Sequence, residues 1–208
     1  MNQPLPHHHV AIVGTGPGAL AAVVRLHQAA VDDVVLVEHD IDDAMALHWQ
    51  TDRQRWHITT ASGEQTATHV VVDTDALADR VFGTEGVSMA ESWDGEPGAY
   101  LGTSVHGFPN CYLVHGPDIG LRHNSVEQMR ESQADYVAAA VSYARDFGFA
   151  AVEPTPAAQQ NYAGFRPRGT ADFRRRTNRF TPRDHLVQRP AREPVAVSAA
   201  VRPATENC

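Results

Sequence analysis

The chain has 208 residues, 42% of them hydrophobic, and a formal charge of −8. That length suits one domain, or one domain with a tail, with enough apolar mass for a core. No run of about 18 apolar residues occurs, so no transmembrane helix is predicted, and MNQPLPHHHV lacks the basic-then-apolar pattern of a signal peptide. Two cysteines, Cys111 and Cys208, do not make a disulfide framework, and the simplest compartment is the cytoplasm, with no membrane partner. All 17 basic residues are Arg. Residues 164–208 hold 10 Arg against 4 acids, whereas residues 1–163 hold 7 Arg against 21 acids. A basic tail on an acidic body can meet a polyanion, an acidic surface or its own body. The plainer reading is a solvated, flexible tail, so nucleic acid is not the predicted partner.

In chain order, Val10–Val13 is a short apolar run, and GTGPGA follows at Gly14–Ala19. LAAVVRLHQAA then reads as a helix, with Leu20, Val23, Val24 and Leu26 or His27 near the spacing of a buried face. Asp32 and Asp33 break it, and VVLVE from Val34 to Glu38 is a second, β-branched run. Together these predict a β-α-β unit, and the near-continuous apolar strands suit a parallel sheet covered on both faces. HDIDDAMALHWQ is poorly patterned. RWHITTASGEQTATHVVVDTD reads as a hairpin: Trp56, Ile58 and Thr60 alternate, Ser62-Gly63 turns, and His69–Val72 returns. Residues 79–107 read as loop.

After Cys111–Val114 comes the clearest helix. Val126, Met129, Gln133, Tyr136, Val137, Ala140, Val141, Ala144 and Phe147 recur at the helical period, Ser125 and Gln128 have capping-box spacing, and Gly148 is a plausible stop. Beyond Ala150 the chain is rich in Pro and Arg without sustained periodicity, and most of it is expected to be disordered or loosely attached. There are no internal repeats.

GTGPGA fits G-x-G-x-x-G/A, with Gly14, Gly16 and Ala19 at its three key positions. The first glycine permits the tight turn, the second lets a pyrophosphate approach the backbone, and the small third residue lets helix pack on strand. Gly18 lies within the same turn, and Pro17 suits the first helical turn, where its missing N–H is not needed. The helix N-terminus offers free N–H groups and a partial positive charge. Glu38 stands 24 residues after Gly14, where an acid can accept the ribose hydroxyls of an adenosine and disfavours a 2′-phosphate. A glycine turn without a ligand is the plainer alternative. The junction HGFPNCYLVHGPDIGLRHNS, His106–Ser125, would lie at the same carboxyl edge of a parallel sheet. Cys111 reads as a buried core thiol, Trp56 and Trp93 as hydrophobic filler, and His7-His8-His9 as a solvated segment; no metal-ligand spacing or catalytic group stands out.

GTGPGA with Glu38, together with WDGEPGAYLGTSVHGFPNCYLVHGPDIGLRHNSVEQMRESQADYV, resembles the flavin-containing Baeyer–Villiger monooxygenases. The resemblance implies a Rossmann-like FAD/NAD(P)-binding three-layer α/β fold with a parallel sheet and a β-hairpin. It implies FAD, with its pyrophosphate on Gly14, Gly16, Pro17, Gly18 and Ala19 and its ribose on Glu38. Gly116, Pro117, Asp118, His123, Asn124 and Ser125 would lie near the isoalloxazine and ribityl end. The implied organisation is a flexible N-terminus over 1–9, an FAD-binding domain over 10–150 made of two joined FAD-domain segments, and an Arg/Pro-rich, partly disordered tail over 151–208.

The departures from the family matter too. Its F-x-G-x-x-x-H-x-x-x-W-P fingerprint and a second G-x-G-x-x-G for NADPH are absent, and the NADPH domain between the two FAD segments is missing. Only Trp49 echoes the segment that covers the flavin. Asp73-Thr74-Asp75 stands where the family carries A-T-G, putting a carboxylate in place of a close-packed glycine. These gaps argue against complete NADPH-driven turnover. The leading expectation is an FAD-binding flavoprotein, oxidoreductase by ancestry, served by an electron-donor or other partner protein. The alternatives are a non-catalytic dinucleotide-binding or interaction protein and a remnant without a ligand.

Overall fold

The computed structural model describes residues 4–38, 45–73, 75–115, 126–163 and 186–190. Seven of the described strands form one sheet. Its core is parallel: β1 (His7–Val13) lies between β2 (Val34–Val37) and β5 (Gly63–Val72), and β7 (Cys111–Leu113) joins β5 on the far side. The first half of β5 instead turns back on β4 (Arg55–Thr60), which pairs with β3 (Ala46–Gln50), and β3 carries the short β6 (Val81–Phe82). The fold is therefore the expected mixed α/β architecture with a mostly parallel sheet and a hairpin.

Alternation along β1 explains the layers. Val10 and Ile12 face α1 (Pro17–Gln28) and α3 (Val126–Phe147), with Val71 and Tyr112 beside them. Ala11 and Val13 face the hairpin, Leu77 and Phe108 on the opposite side. A central strand apolar on both faces is what a doubly covered parallel sheet requires. Leu26 is buried as expected and Val23 is half-buried, but Leu20 and Val24 are exposed, and α1 buries Ala19 and Ala22 in their place. Small side chains let α1 sit close to the sheet and to α3. Arg25 pairs with Asp135 at 2.8 Å, and Arg145 donates to the carbonyls of Ala29 and Ala30 at the C-terminal end of α1.

The helix expected from Val126 is present, with Gln133, Tyr136, Val137, Ala140, Val141 and Ala144 buried. Gly148 follows it at φ +69°, a value that suits glycine. Its expected cap, Ser125, lies outside the described residues.

Three regions hold more structure than their patterning suggests. The poorly patterned stretch ends in β3. The triplet His7-His8-His9 belongs to β1, paired with β5. Beyond Ala150, where no order is expected, β8 (Phe149–Pro154), α4 (Pro156–Ala163) and β9 (Leu186–Pro190) occur, with β8 and β9 antiparallel. Ala151, Val152 and Glu153 are buried. Asn110 holds β8 to the sheet: its Nδ2 donates to the carbonyls of Thr68 (3.0 Å) and Ala150 (2.8 Å), and its Oδ1 accepts from the Val152 N–H (2.8 Å). The rest of the Arg-rich tail, 164–185 and 191–208, lies outside the described residues. No described helix is long and apolar enough to cross a membrane.

Candidate dinucleotide turn

Parallel register brings four strand ends to one edge of the sheet: Val13 pairs with Val37 and with Val72, and Val72 pairs with Leu113. The backbone extends that pairing by one step. The Gly14 N–H donates to the Val37 carbonyl, the Asp73 N–H to Val13, and the Val114 N–H to Val72. The glycine turn, Glu38, Asp73 and the start of the β7–α3 junction thus emerge side by side.

Each feature of the turn follows from its residues. Gly14 has φ +118°, a conformation that favours glycine. Gly16 is the N-cap of α1 without a side chain to cap it, Pro17 opens the helix, and Gly18 and Ala19 are buried. Glu38 is exposed just past β2. Gly116, Pro117, Asp118, His123, Asn124 and Ser125 lie outside the described residues. Of the expected flavin-proximal wall the described residues include only its beginning, Val114 and His115, and its end, α3.

The residue that sequence reasoning did not place in the turn is Asp73. Its carboxylate enters the space that the glycines leave. A Cβ on Gly14 would come within 3.0 Å of the Asp73 Cβ, and a Cβ on Gly16 or Gly18 would overlap a carboxylate oxygen. The backbone N–H groups of Ala19 and Gly16 favour the charged form of this carboxylate. Burial lifts its pKa above the ordinary carboxylate value, and these N–H groups, Arg130 and His115 oppose the rise without cancelling it. Arg130 Nη2 stands 3.1 Å from His115 Nδ1, and its Nε is buried without a hydrogen-bond partner among the described residues. Gln133, fully buried, fixes this corner by accepting from the His115 N–H (2.9 Å) and donating to the Gly102 carbonyl (2.7 Å).

A pyrophosphate on this turn would need the two N–H groups and the room above the glycines. That room is taken by a carboxylate, so the turn in this conformation does not fit the phosphates of FAD. The sequence signal is the first acid of Asp73-Thr74-Asp75, directly after the apolar run Val70–Val72, at the edge where ligands collect.

No family model matches the chain. A Baeyer–Villiger monooxygenase of Streptomyces coelicolor is 34% identical over 157 residues, covering 60% of this chain and 30% of that protein. This chain is thus similar in sequence to Baeyer–Villiger monooxygenases. A second such enzyme, from Pseudomonas aeruginosa, is 39% identical over 82 residues, covering 39% of this chain and 16% of that one. The chain spans about a third or less of the length of these proteins. The structure of a cyclohexanone monooxygenase mutant from Rhodococcus sp. Phi1 bound to NADP+ has a TM-score of 0.50 at 21% identity, covering 77% of this chain and 35% of that one. That likeness shows a common fold.

Other groups have structural explanations. Cys111 is buried and its thiol is pushed well up by desolvation, so it is no nucleophile at neutral pH. Trp56 is fully buried and donates to the Pro109 carbonyl at 2.8 Å. Among the described residues no group of three or more His, Cys, Asp or Glu could hold a metal ion.

Proposed function

We propose that this chain is an FAD-domain protein, oxidoreductase by ancestry, that does not carry FAD as a standing cofactor at neutral pH and does not run NADPH-driven oxygenation on its own. The observation that carries this reading is the Asp73 carboxylate lodged in the Gly14–Ala19 turn. The ancestry rests on the sequence relatives and on the β1–α1–β2 unit with Glu38 at its end. The single G-x-G-x-x-G/A argues against a second nucleotide site for NADPH within this sequence. Gly14, Gly16, Pro17, Gly18, Ala19 and Glu38 remain the residues assigned to a dinucleotide whenever the turn is open.

The test is the visible spectrum of the purified protein at pH 7.5, before and after incubation with excess FAD and gel filtration. A colourless protein that retains no flavin is expected. A flavin band that survives gel filtration contradicts the reading. A second reading, a non-catalytic interaction protein, is favoured by exposed Leu20 and Val24 on α1 and exposed Leu36 on the edge strand β2. It too gives a colourless protein, and it is separated from the first by Asp73 variants.

A further inference from the structure

We propose that Asp73 is an intramolecular latch on the dinucleotide turn: its carboxylate occupies the place of a ligand phosphate at the N-terminus of α1, and FAD enters only when that carboxylate is neutralised or removed. The proposal rests on the reading of the chain as an FAD-domain protein and adds what controls the site.

The geometry comes first. Gly14, Gly16 and Gly18 all have Asp73 as the first neighbour that an added Cβ would meet. The room a pyrophosphate needs is the room the carboxylate fills. The Asp73 N–H is bonded to the Val13 carbonyl at 3.0 Å, which anchors its Cα to the sheet. The side chain can therefore leave the turn by rotating about its own bonds, without moving the strand.

The chemistry matches. A helix N-terminus binds carboxylate and phosphate oxygens through the same N–H groups and the same dipole. Two anions cannot share those groups, because like charges a few ångströms apart repel strongly in a desolvated site. Among the described residues, few charged or titratable groups face Asp73. The Gly14–Ala19 turn contributes none, β7 is followed by His115, and α3 contributes Arg130. Arg130, with its unpartnered buried Nε, is the cation towards which a displaced carboxylate would turn.

A pH dependence follows with a definite sign. FAD entry is favoured by the neutral carboxyl, because the charged one repels the incoming pyrophosphate. Binding then takes up a proton, so affinity rises as pH falls, by up to about tenfold per pH unit above the Asp73 pKa, and levels off below it.

The experiment titrates the full chain with FAD between pH 5 and pH 8, following flavin absorbance and fluorescence, for the wild type, Asp73→Ala and Asp73→Asn. ADP serves as a second probe that carries the pyrophosphate without the flavin. Circular dichroism confirms folding, and the two variants remove the charge with different side-chain volumes, so one can stand in if the other misfolds. At pH 7.5 each folded variant is expected to bind FAD and ADP at least ~10-fold more tightly than the wild type, the change that loss of one competing charge-assisted contact would give. In the FAD titration the variants should show no pH slope, while the wild type gains affinity as pH falls. Folded variants that bind neither probe overturn the latch but leave the reading of a protein without standing FAD intact. Wild-type binding at pH 7.5 equal to that of the variants overturns both. An equal pH slope in wild type and variants also overturns the latch, since another group would then be titrating.

Discussion

Replacing Asn110 by Ala should remove the clamp that holds β8 and the end of β5 around β7. Asn110 is fully buried, and its amide makes three hydrogen bonds of 2.8–3.0 Å to backbone groups of Thr68, Ala150 and Val152. It also sits at φ +56°, a conformation Asn tolerates better than Ala. Asn110→Ala leaves two carbonyls and one N–H without partners. Each orphaned group costs about 1–3 kcal/mol when buried, and the half-buried Thr68 recovers part of that from water, so roughly 3–5 kcal/mol is lost. That is a large share of the about 5–15 kcal/mol typical of a domain, and it corresponds to a melting temperature lower by roughly 6–20 °C. Thermal melts followed by circular dichroism measure it directly. A variant melting within about 2 °C of the wild type, less than 1 kcal/mol would produce, refutes the clamp.

Other outcomes follow from the same packing. Trp56→Phe deprives the Pro109 carbonyl of its buried donor and should cost roughly 1–3 kcal/mol in urea unfolding, whereas Trp56→Ala should cost roughly 3–5 kcal/mol. Burial next to His9 depresses His69 from 6.5 to about 3, so the stability it contributes is fully present above 6.5 and is lost as pH falls towards 3. The urea midpoint should fall over that window, by up to ~1.4 kcal/mol of stability per pH unit, and His69→Leu should flatten the slope. Asp73 has the opposite sign. Its raised pKa gives stability that is present below 3.8 and lost as pH rises through the folded value, so Asp73→Asn should melt higher than the wild type at pH 7.5, with the gap closing in acid.

Much of the frame is legible because local chemistry and the global fold agree there. Val10–Val13 before Gly14, the Ser62-Gly63 hairpin and the long period of α3 each carry their own signal, and each forms the element it suggests. The face of α1 is different. Leu20 and Val24 are the larger side chains, yet they point outward because Ala19 and Ala22 allow a closer approach to the sheet and to α3. β8 was not legible because its support comes from elsewhere in the chain, through Asn110 and α3. Asp73 reads locally as a polar strand end. Only the parallel pairing of β1 and β5 sets it against a turn some sixty residues earlier in sequence, and no local pattern encodes that neighbour. The flavin-proximal residues expected at Gly116–Asp118 and His123–Ser125 lie outside the described residues.

The most direct test of the central claim follows the backbone amides of Gly16 and Ala19 by ¹⁵N–¹H NMR in the ligand-free wild type as pH is lowered from 8 to 4. Both resonances are expected to move together with a single midpoint above the ordinary aspartate value of 3.8, and to lose that titration in Asp73→Asn. Amides that stay still over this range, or that titrate unchanged in the variant, would mean that the carboxylate does not occupy the turn.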